Sequence, residues 1–227
     1  MHTFSQRLAQ LRNDLVTQGD RVLEVTQRAV EAFFSRDVDA AASVIEEDNV
    51  IDRVDVEIER ASIPLFTMGV TDEHDIRSVL TIVKINNELE RIADCAVNIA
   101  ENVAAFHDSK DGAVPSHFRM IANSVIGMLR DANAALRNTD TALAEQVLGF
   151  DDTVAAFKRE ILLEAQRKVA HGEFNVELGF RLMSVTKSLE RVADHCTNIC
   201  EQLIYLETGN IVRHLPGGWT KPEPPSL

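Results

Sequence analysis

Basic charge and long apolar runs are both scarce in this sequence. Lys and Arg total 23 against 36 Asp and Glu, which gives a formal net charge of −13. Because a nucleic-acid binder needs a basic face to displace counterions from phosphates, we expect no nucleic-acid partner. No apolar run approaches the ~18 residues of a membrane-spanning helix, so we also expect no insertion into a bilayer.

Cysteine, aromatic residues and a leader sequence are lacking as well. Three cysteines, an odd and small number for 227 residues, exclude a disulfide-stapled fold. The N-terminal stretch MHTFSQRLAQLRND has no apolar core of the kind found in signal peptides. Aromatic residues make up only 5% of the chain, which suits helices packed on helices. We therefore predict a cytoplasmic, helical protein.

Apolar residues recur at helical spacing along most of the sequence. The polar segment DSKDGAVP at 108–115 interrupts this pattern, and no strand pattern competes with it. The spacing predicts six helices, at residues 3–35, 38–62 (ending near Pro64), 71–108, 115–137, 140–170 and 174–207.

One segment occurs twice, one hundred residues apart. LERIADCAVNIAE at 89–101 returns as LERVADHCTNICE at 189–201, and eight of the thirteen positions are identical. Upstream, DNVIDRVDVEI at 48–58 is echoed by DDTVAAFKREI at 151–161. The repeat therefore spans about half the chain. It predicts an all-α fold of two pseudo-symmetric three-helix bundles, at 1–110 and 111–210, followed by a mobile tail at 211–227.

The repeated segment places polar side chains on one face of its helix. With Glu90 at 0° and about 100° per residue, Asp94, Asn98 and Glu101 fall at about 40°, 80° and 20°. The apolar residues fall on the opposite side. Carboxylates spaced i, i+4 repel one another, which is unfavourable on a face that needs only to be solvated. The second copy repeats this acid stripe with Glu190, Asp194, Asn198 and Glu201.

Carboxylates at this spacing can share a cation, although a solvated surface is the alternative interpretation. Oxygen ligands suit Fe, Mn, Mg or Ca, and Zn less characteristically. Asp52 aligns with Ala155, so the two predicted sites are not equivalent. Acids from a neighbouring helix could complete each ligand set, and the candidates are Asp48, Asp52, Asp151 and Asp152.

These motifs resemble the PhoU family, the accessory and regulatory proteins of bacterial phosphate uptake. The resemblance is carried by NNELERIADCAVNIAE at 86–101 and by LERVADHCTNICEQLIYLETGNIVRH at 189–214. It implies two three-helix bundles and metal ions, divalent or trivalent, bound on their surface in clusters that are often multinuclear. Iron, zinc or manganese are the expected metals. By position, the implied ligands are Glu90, Asp94, Glu190 and Asp194, with Asn98, Glu101, Asn198 and Glu201 next in line.

The resemblance also implies a function and partners. The chain is expected to regulate the phosphate-starvation response negatively, without enzymatic activity. Its implied partners are the phosphate-specific ABC transporter and a membrane sensor histidine kinase, and we expect a homodimer.

Two other functions are open at this point. A carboxylate-bridged di-iron enzyme would use Glu-x-x-His pairs, yet Ala93 and Ala193 stand where the histidines belong. A purely structural helical module would need no metal. Cys196 and Cys200 fall on the apolar side of the helix and are interpreted as buried thiols, whereas His195 falls between the faces, where it could donate a ligand or a hydrogen bond.

Overall fold

The computed structural model describes residues 3–69, 72–104 and 116–212, without the side chains of 116–117 and 151–158. Within these ranges the chain is helical and has no strand, which confirms the all-α prediction. None of the described helices combines the length and hydrophobicity needed to cross a bilayer. The helices are α1 (Phe4–Ser35), α2 (Val38–Phe66), α3 (Glu73–Glu101), α4 (Ser116–Asn138), α5 (Thr141–Leu148), α6 (Asp151–Ala170) and α7 (Val176–Thr208).

Capping residues set where most of the helices begin. Each cap is a short polar residue whose side chain accepts the backbone N–H three positions later. At Thr3 the bond is reciprocal, since the Gln6 side chain also accepts the Thr3 N–H at 2.9 Å. Gly209, with φ of 73°, ends α7 in the left-handed conformation. The caps are Thr3, Asp37, Asp72, Asp140 and Asn175.

Two predicted helix boundaries differ from the structure. The second helix was expected over 38–62, ending near Pro64, and α2 continues through Pro64 to Phe66. Because Pro64 is exposed and lies within the last turn, the carbonyl that loses its amide partner there can be hydrated. The predicted helix at 140–170 is two helices, since the Gly149 N–H closes the end of α5 against Gln146 and Val147 before α6 begins.

A third boundary and several other predicted features meet the limits of the described structure. α3 ends at Glu101, where the Asn102 N–H bonds back to Ile99 and Ala100, short of the predicted end at 108. Residues 105–115, which hold the predicted break between the bundles, lie outside the described ranges. So does the predicted mobile tail beyond residue 212.

α3 and α7 form the centre of the molecule and run antiparallel to each other. Residue numbers rise along α3 as they fall along α7: Lys84 Nζ lies 5.6 Å from the Tyr205 ring, and Glu88 Oε2 lies 2.7 Å from His195 Nδ1. α1 and α2 pack on α3, while α4 and α6 pack on α7. The two halves therefore meet about a pseudo-twofold axis near positions 92 and 192, and the two-bundle prediction is confirmed.

The apolar side of each repeated segment forms the core, as its periodicity predicted. Ile92 and Ile99 of α3 and Val192 and Ile199 of α7 are completely buried. The acid stripes consequently lie on the outer side of the same helices, close to the pseudo-twofold axis. This placement makes them surface features of the central helix pair.

Candidate metal centre

Five carboxylates from two facing helices share one surface region of the first bundle, and we call them the first acid cluster. α2 runs antiparallel to α3 here, and Asn86 fixes their register by donating to the Asp55 carboxylate at 2.6 Å and to its backbone carbonyl at 3.0 Å. Because acids on α2 recur at i, i+4 and i+7, they face the acid stripe of α3. The members are Asp48, Asp52 and Asp55 of α2 and Glu90 and Asp94 of α3.

Negative charge in this cluster is only partly compensated. Burial, together with the carboxylates of Asp52 and Asp94, raises the pKa of Asp48 to about 6. Burial and Asp94 likewise raise the pKa of Glu90, although Arg91 opposes the shift. A cation placed among these groups would favour their ionised forms.

Arg91 supplies part of the missing positive charge. Its Nε lies 3.4 Å from Glu90 Oε2 and its Nη1 lies 3.8 Å from Asp94 Oδ2. The Arg91 side chain is 49% exposed, so solvent screens both contacts. The guanidinium therefore moderates the cluster without neutralising it.

The carboxylate oxygens of the first acid cluster are spread apart. In the described part of the chain, the one trio of metal-ligand atoms lying within 4.8 Å of one another belongs to Asp72, His74 and Asp75. That trio was not predicted, and Asp72 there caps α3 by accepting the Asp75 N–H at 3.1 Å. Like charges repel, so we expect the carboxylates of the first acid cluster to separate until a cation draws them together.

The second acid stripe has a different electrostatic environment. Lys187 Nζ lies 2.8 Å from Glu190 Oε2, and this bond raises the pKa of Lys187. The first bundle has Asn87 at the equivalent position. Asp151 and Asp152 lie at the start of α6, but their side chains are outside the described part of the structure. Glu190 and Asp194 therefore share their surface with a lysine that the first acid cluster lacks.

The outer members of the stripes have distinct surroundings. The Asn98 amide donates to the Asp94 carbonyl at 2.8 Å, along its own helix. The Asn198 amide instead reaches across to α3 and donates to Glu88 Oε2 at 2.9 Å. Glu101 is exposed and Glu201 is half-buried. Asn198 thus joins the two bundles, and its amide nitrogen is directed away from the predicted ligand set.

Glu88 is a residue that sequence reasoning missed. It accepts from both His195 and Asn198, and these hydrogen bonds outweigh the effect of burial and hold the pKa of Glu88 below its ordinary value. No sequence signal identifies it, because its partners depend on how α3 crosses α7. Asp55 was also missed, although its position seven residues after Asp48 could have revealed it.

Cys196 and Cys200 are completely buried, as predicted, and so is Cys95, for which the sequence made no prediction. Burial raises the pKa of Cys95 to about 11 and that of Cys196 well above its ordinary value, so both remain thiols. Metal ligation by these side chains would require thiolates.

Comparison with known proteins gives consistent matches. The PhoU domain model matches residues 15–103 and 118–203, so each matched copy contains one acid stripe. The Phosphate-specific transport system accessory protein PhoU homolog of Clostridium acetobutylicum is 30% identical over 211 residues, covering 92% of this chain and 96% of that protein. PhoU homolog 1 of Thermotoga maritima is 28% identical over 216 residues, covering 95% and 93%.

Two crystal structures share the fold over nearly their whole length. PhoU from Pseudomonas aeruginosa superposes with a TM-score of 0.86 at 26% identity, covering 92% of this chain and 100% of that one. The phosphate transport system regulatory protein PhoU from Streptococcus pneumoniae gives 0.85 at 25% identity, covering 92% and 99%.

Proposed function

The chain belongs to the PhoU family, and from that premise we propose that it is a cytoplasmic, metal-binding regulator of phosphate uptake. In this proposal it represses the phosphate-starvation response through contacts with the phosphate-specific ABC transporter and a membrane sensor histidine kinase. It acts as a homodimer and catalyses no reaction. The names of its relatives, accessory proteins of phosphate-specific transport, support the regulatory part.

The observation that carries the metal-binding part is the first acid cluster. Asp48, Asp52, Glu90 and Asp94 offer oxygen ligands from two adjacent helices, and burial, with the neighbouring carboxylates of Asp52 and Asp94, raises the pKa of Asp48. Such an all-oxygen set suits iron or manganese, and zinc less characteristically, with Glu190 and Asp194 as the weaker counterpart. The bound cation would lower, without cancelling, the negative charge of the face on which it sits.

The position of these acids supports a regulator over a di-iron enzyme. Di-iron bundles place their ligands inside the core, with a histidine three residues after the glutamate. Here the Glu90 and Asp94 side chains are 25% and 41% exposed, on the outer side of α3. A cation at this surface is available to alter a contact with another protein.

A complementation experiment tests this function. In a strain lacking the protein, a phosphate-starvation reporter should be expressed even in abundant phosphate, and the wild-type chain should silence it. A variant with Glu90, Asp94, Glu190 and Asp194 changed to alanine should accumulate normally and fail to silence it. The matched control changes four exposed acids away from the stripes, Glu24, Asp39, Glu46 and Glu57. A normal phosphate response in the deletion strain would contradict the proposed function.

A further inference from the structure

The exposed face of α3 that carries the acid stripe continues into an apolar segment. Ile76 and Leu80 lie 14 and 10 residues before Glu90. At about 100° per residue they fall at about 40° and 80°, within the angular range of the stripe. Both are 39% exposed. One face of one helix is therefore apolar at its start and acidic near its end.

α7 repeats this arrangement at the same register. Val176 and Phe180, one hundred residues after Ile76 and Leu80, are 61% and 64% exposed, and Met183 is 40% exposed. An exposed position has no packing reason to stay apolar. The repetition in both bundles indicates that these residues contact something outside the chain.

In the second bundle these residues border a groove between α6 and α7. Its volume is ≈ 310 Å³, and its walls include Ala165 and Val169 of α6. Gly179 lets the two helices approach closely, since a Cβ there would lie 2.7 Å from Val169 Cγ2. A groove lined by Val, Phe and Met side chains suits the apolar face of an amphipathic helix. We call this groove, with Val176, Phe180 and Met183, the second apolar patch.

The first bundle has an equivalent surface. Phe66 of α2 is 49% exposed and lies 18 residues after Asp48. Because 18 residues make five full turns at about 100° each, Phe66 lies on the acid-bearing side of α2. It reaches the same end of the first bundle as Ile76 and Leu80. We call Phe66, Ile76 and Leu80 the first apolar patch.

The two patches lie at opposite ends of one face of the molecule. The pseudo-twofold axis that relates the antiparallel helices α3 and α7 runs perpendicular to both, and the two acid stripes occupy equivalent positions close to it, so they lie on the same side of the α3–α7 pair. Leu80 and Phe180 each lie about 12 residues from the crossing of these helices, which places them about 35 Å apart at 1.5 Å per residue. Along this face the first apolar patch is followed by the two acid stripes and then by the second apolar patch, and the two halves are related by the pseudo-twofold axis.

We propose that this face binds a twofold-symmetric protein that places an apolar helix on each patch and basic side chains over the acid clusters between them. Equivalent patches related by a twofold axis match a homodimeric partner, since each of its subunits meets the same kind of surface. The acidic centre selects a basic one. Simultaneous engagement of both patches strengthens the contact beyond either alone.

The choice of partner for the test rests on the proposed function. The ATP-binding subunits of an ABC transporter act as a pair, so the purified ATP-binding subunit of the phosphate transporter is the probe. The variants are Leu80→Gln and Phe180→Gln, one in each patch, and neither changes the charge. Met120→Gln is the matched control, because Met120 is a 52% exposed apolar residue on α4.

We expect each patch variant to weaken binding about tenfold and the double variant to weaken it further, while the control binds as the wild type does. Native mass spectrometry should find two ATP-binding subunits for each chain. Equal binding by wild-type and double-variant chains would overturn this inference and leave the proposed function standing. No binding by the wild-type chain would contradict the transporter contact itself, and with it this choice of partner. Self-association of the chain that the patch variants abolish would also overturn the inference, since a second copy would then occupy the face.

Discussion

Glu88 of α3 and His195 of α7 join the two bundles, with Oε2 and Nδ1 2.7 Å apart and both side chains largely buried. The same Glu88 oxygen accepts the Asn198 amide. The pseudo-twofold counterparts of Glu88 and His195 are Ser188 and Cys95, which cannot form this pair. The bundle interface is thus asymmetric in its polar contacts although its apolar core is nearly symmetric.

We therefore expect Glu88→Ala to destabilise the protein by about 2 kcal/mol, because it leaves two half-buried donors without their acceptor. Denaturant unfolding in the presence of a chelator measures this. Ser188→Ala at the symmetry-related position is the control and should cost less, since the Ser188 hydroxyl bonds only to its own helix, at 3.3 Å from the Ser184 carbonyl. Equal effects of the two changes would contradict the asymmetry.

Asp48 is expected to destabilise the metal-free protein at neutral pH. Its folded pKa of about 6 exceeds the ordinary 3.8, so stability is lost as pH rises from below 4 through 6. Asp48→Asn should then stabilise the chelated protein at pH 7.5 by about 1 kcal/mol, after allowance for solvent screening, and raise Tm by about 2–4 °C. At pH 3 the two proteins should melt together. A variant that is less stable at pH 7.5 would contradict a destabilising effect of the partly buried Asp48 charge beside Asp52 and Asp94.

Lys187 should weaken metal binding in the second bundle. Its ammonium lies 2.8 Å from Glu190 and competes with a cation, whereas the equivalent Asn87 brings no charge to Glu90, whose neighbouring cation is the more distant Arg91 at 3.4 Å. Lys187→Asn should tighten Mn²⁺ binding at the second stripe by about 3–10-fold, and Asn87→Lys should weaken it at the first by a similar factor. Isothermal titration of both variants measures this, and unchanged affinities would contradict competition between the ammonium and the ion.

Two helix-interior glycines should respond oppositely to alanine. Gly179→Ala forces the new Cβ against Val169 Cγ2, 2.7 Å away, and should cost about 1–3 kcal/mol. Gly127→Ala meets nothing within 4 Å and should stabilise α4 by about 0.5–1 kcal/mol. Thermal unfolding of the two variants distinguishes these signs, and a neutral Gly179→Ala would show that α6 and α7 pack less closely than described.

The features that the sequence predicted are those that depend on local periodicity. The apolar spacing predicted the helices and the buried side of each repeat. The break at Gly149 was missed, since a single glycine is compatible with a continuous helix. Glu88 was missed for a different reason, because its partners lie more than one hundred residues away and their contact depends on the antiparallel crossing of α3 and α7.

The candidate site was predictable in part for the same reason. Glu90 and Asp94 share a helix face by spacing alone, and Asp48 and Asp52 follow once two antiparallel helices are assumed. The inequality of the two sites was predicted from Asp52 and Ala155. The structure adds Asp55 to the first acid cluster and Lys187 to the surroundings of the second stripe, two charges that the search for ligands did not consider.

The central claim, that the acid stripes hold metal ions, is tested most directly by the metal content per chain. The measurement is elemental mass spectrometry on protein purified without a nickel column or chelator, beside the variant with Glu90, Asp94, Glu190 and Asp194 changed to alanine. We predict at least one iron, manganese or zinc per wild-type chain, and its loss in a variant that keeps its helical circular dichroism. Equal metal content in the two proteins, or none in either, would contradict the claim.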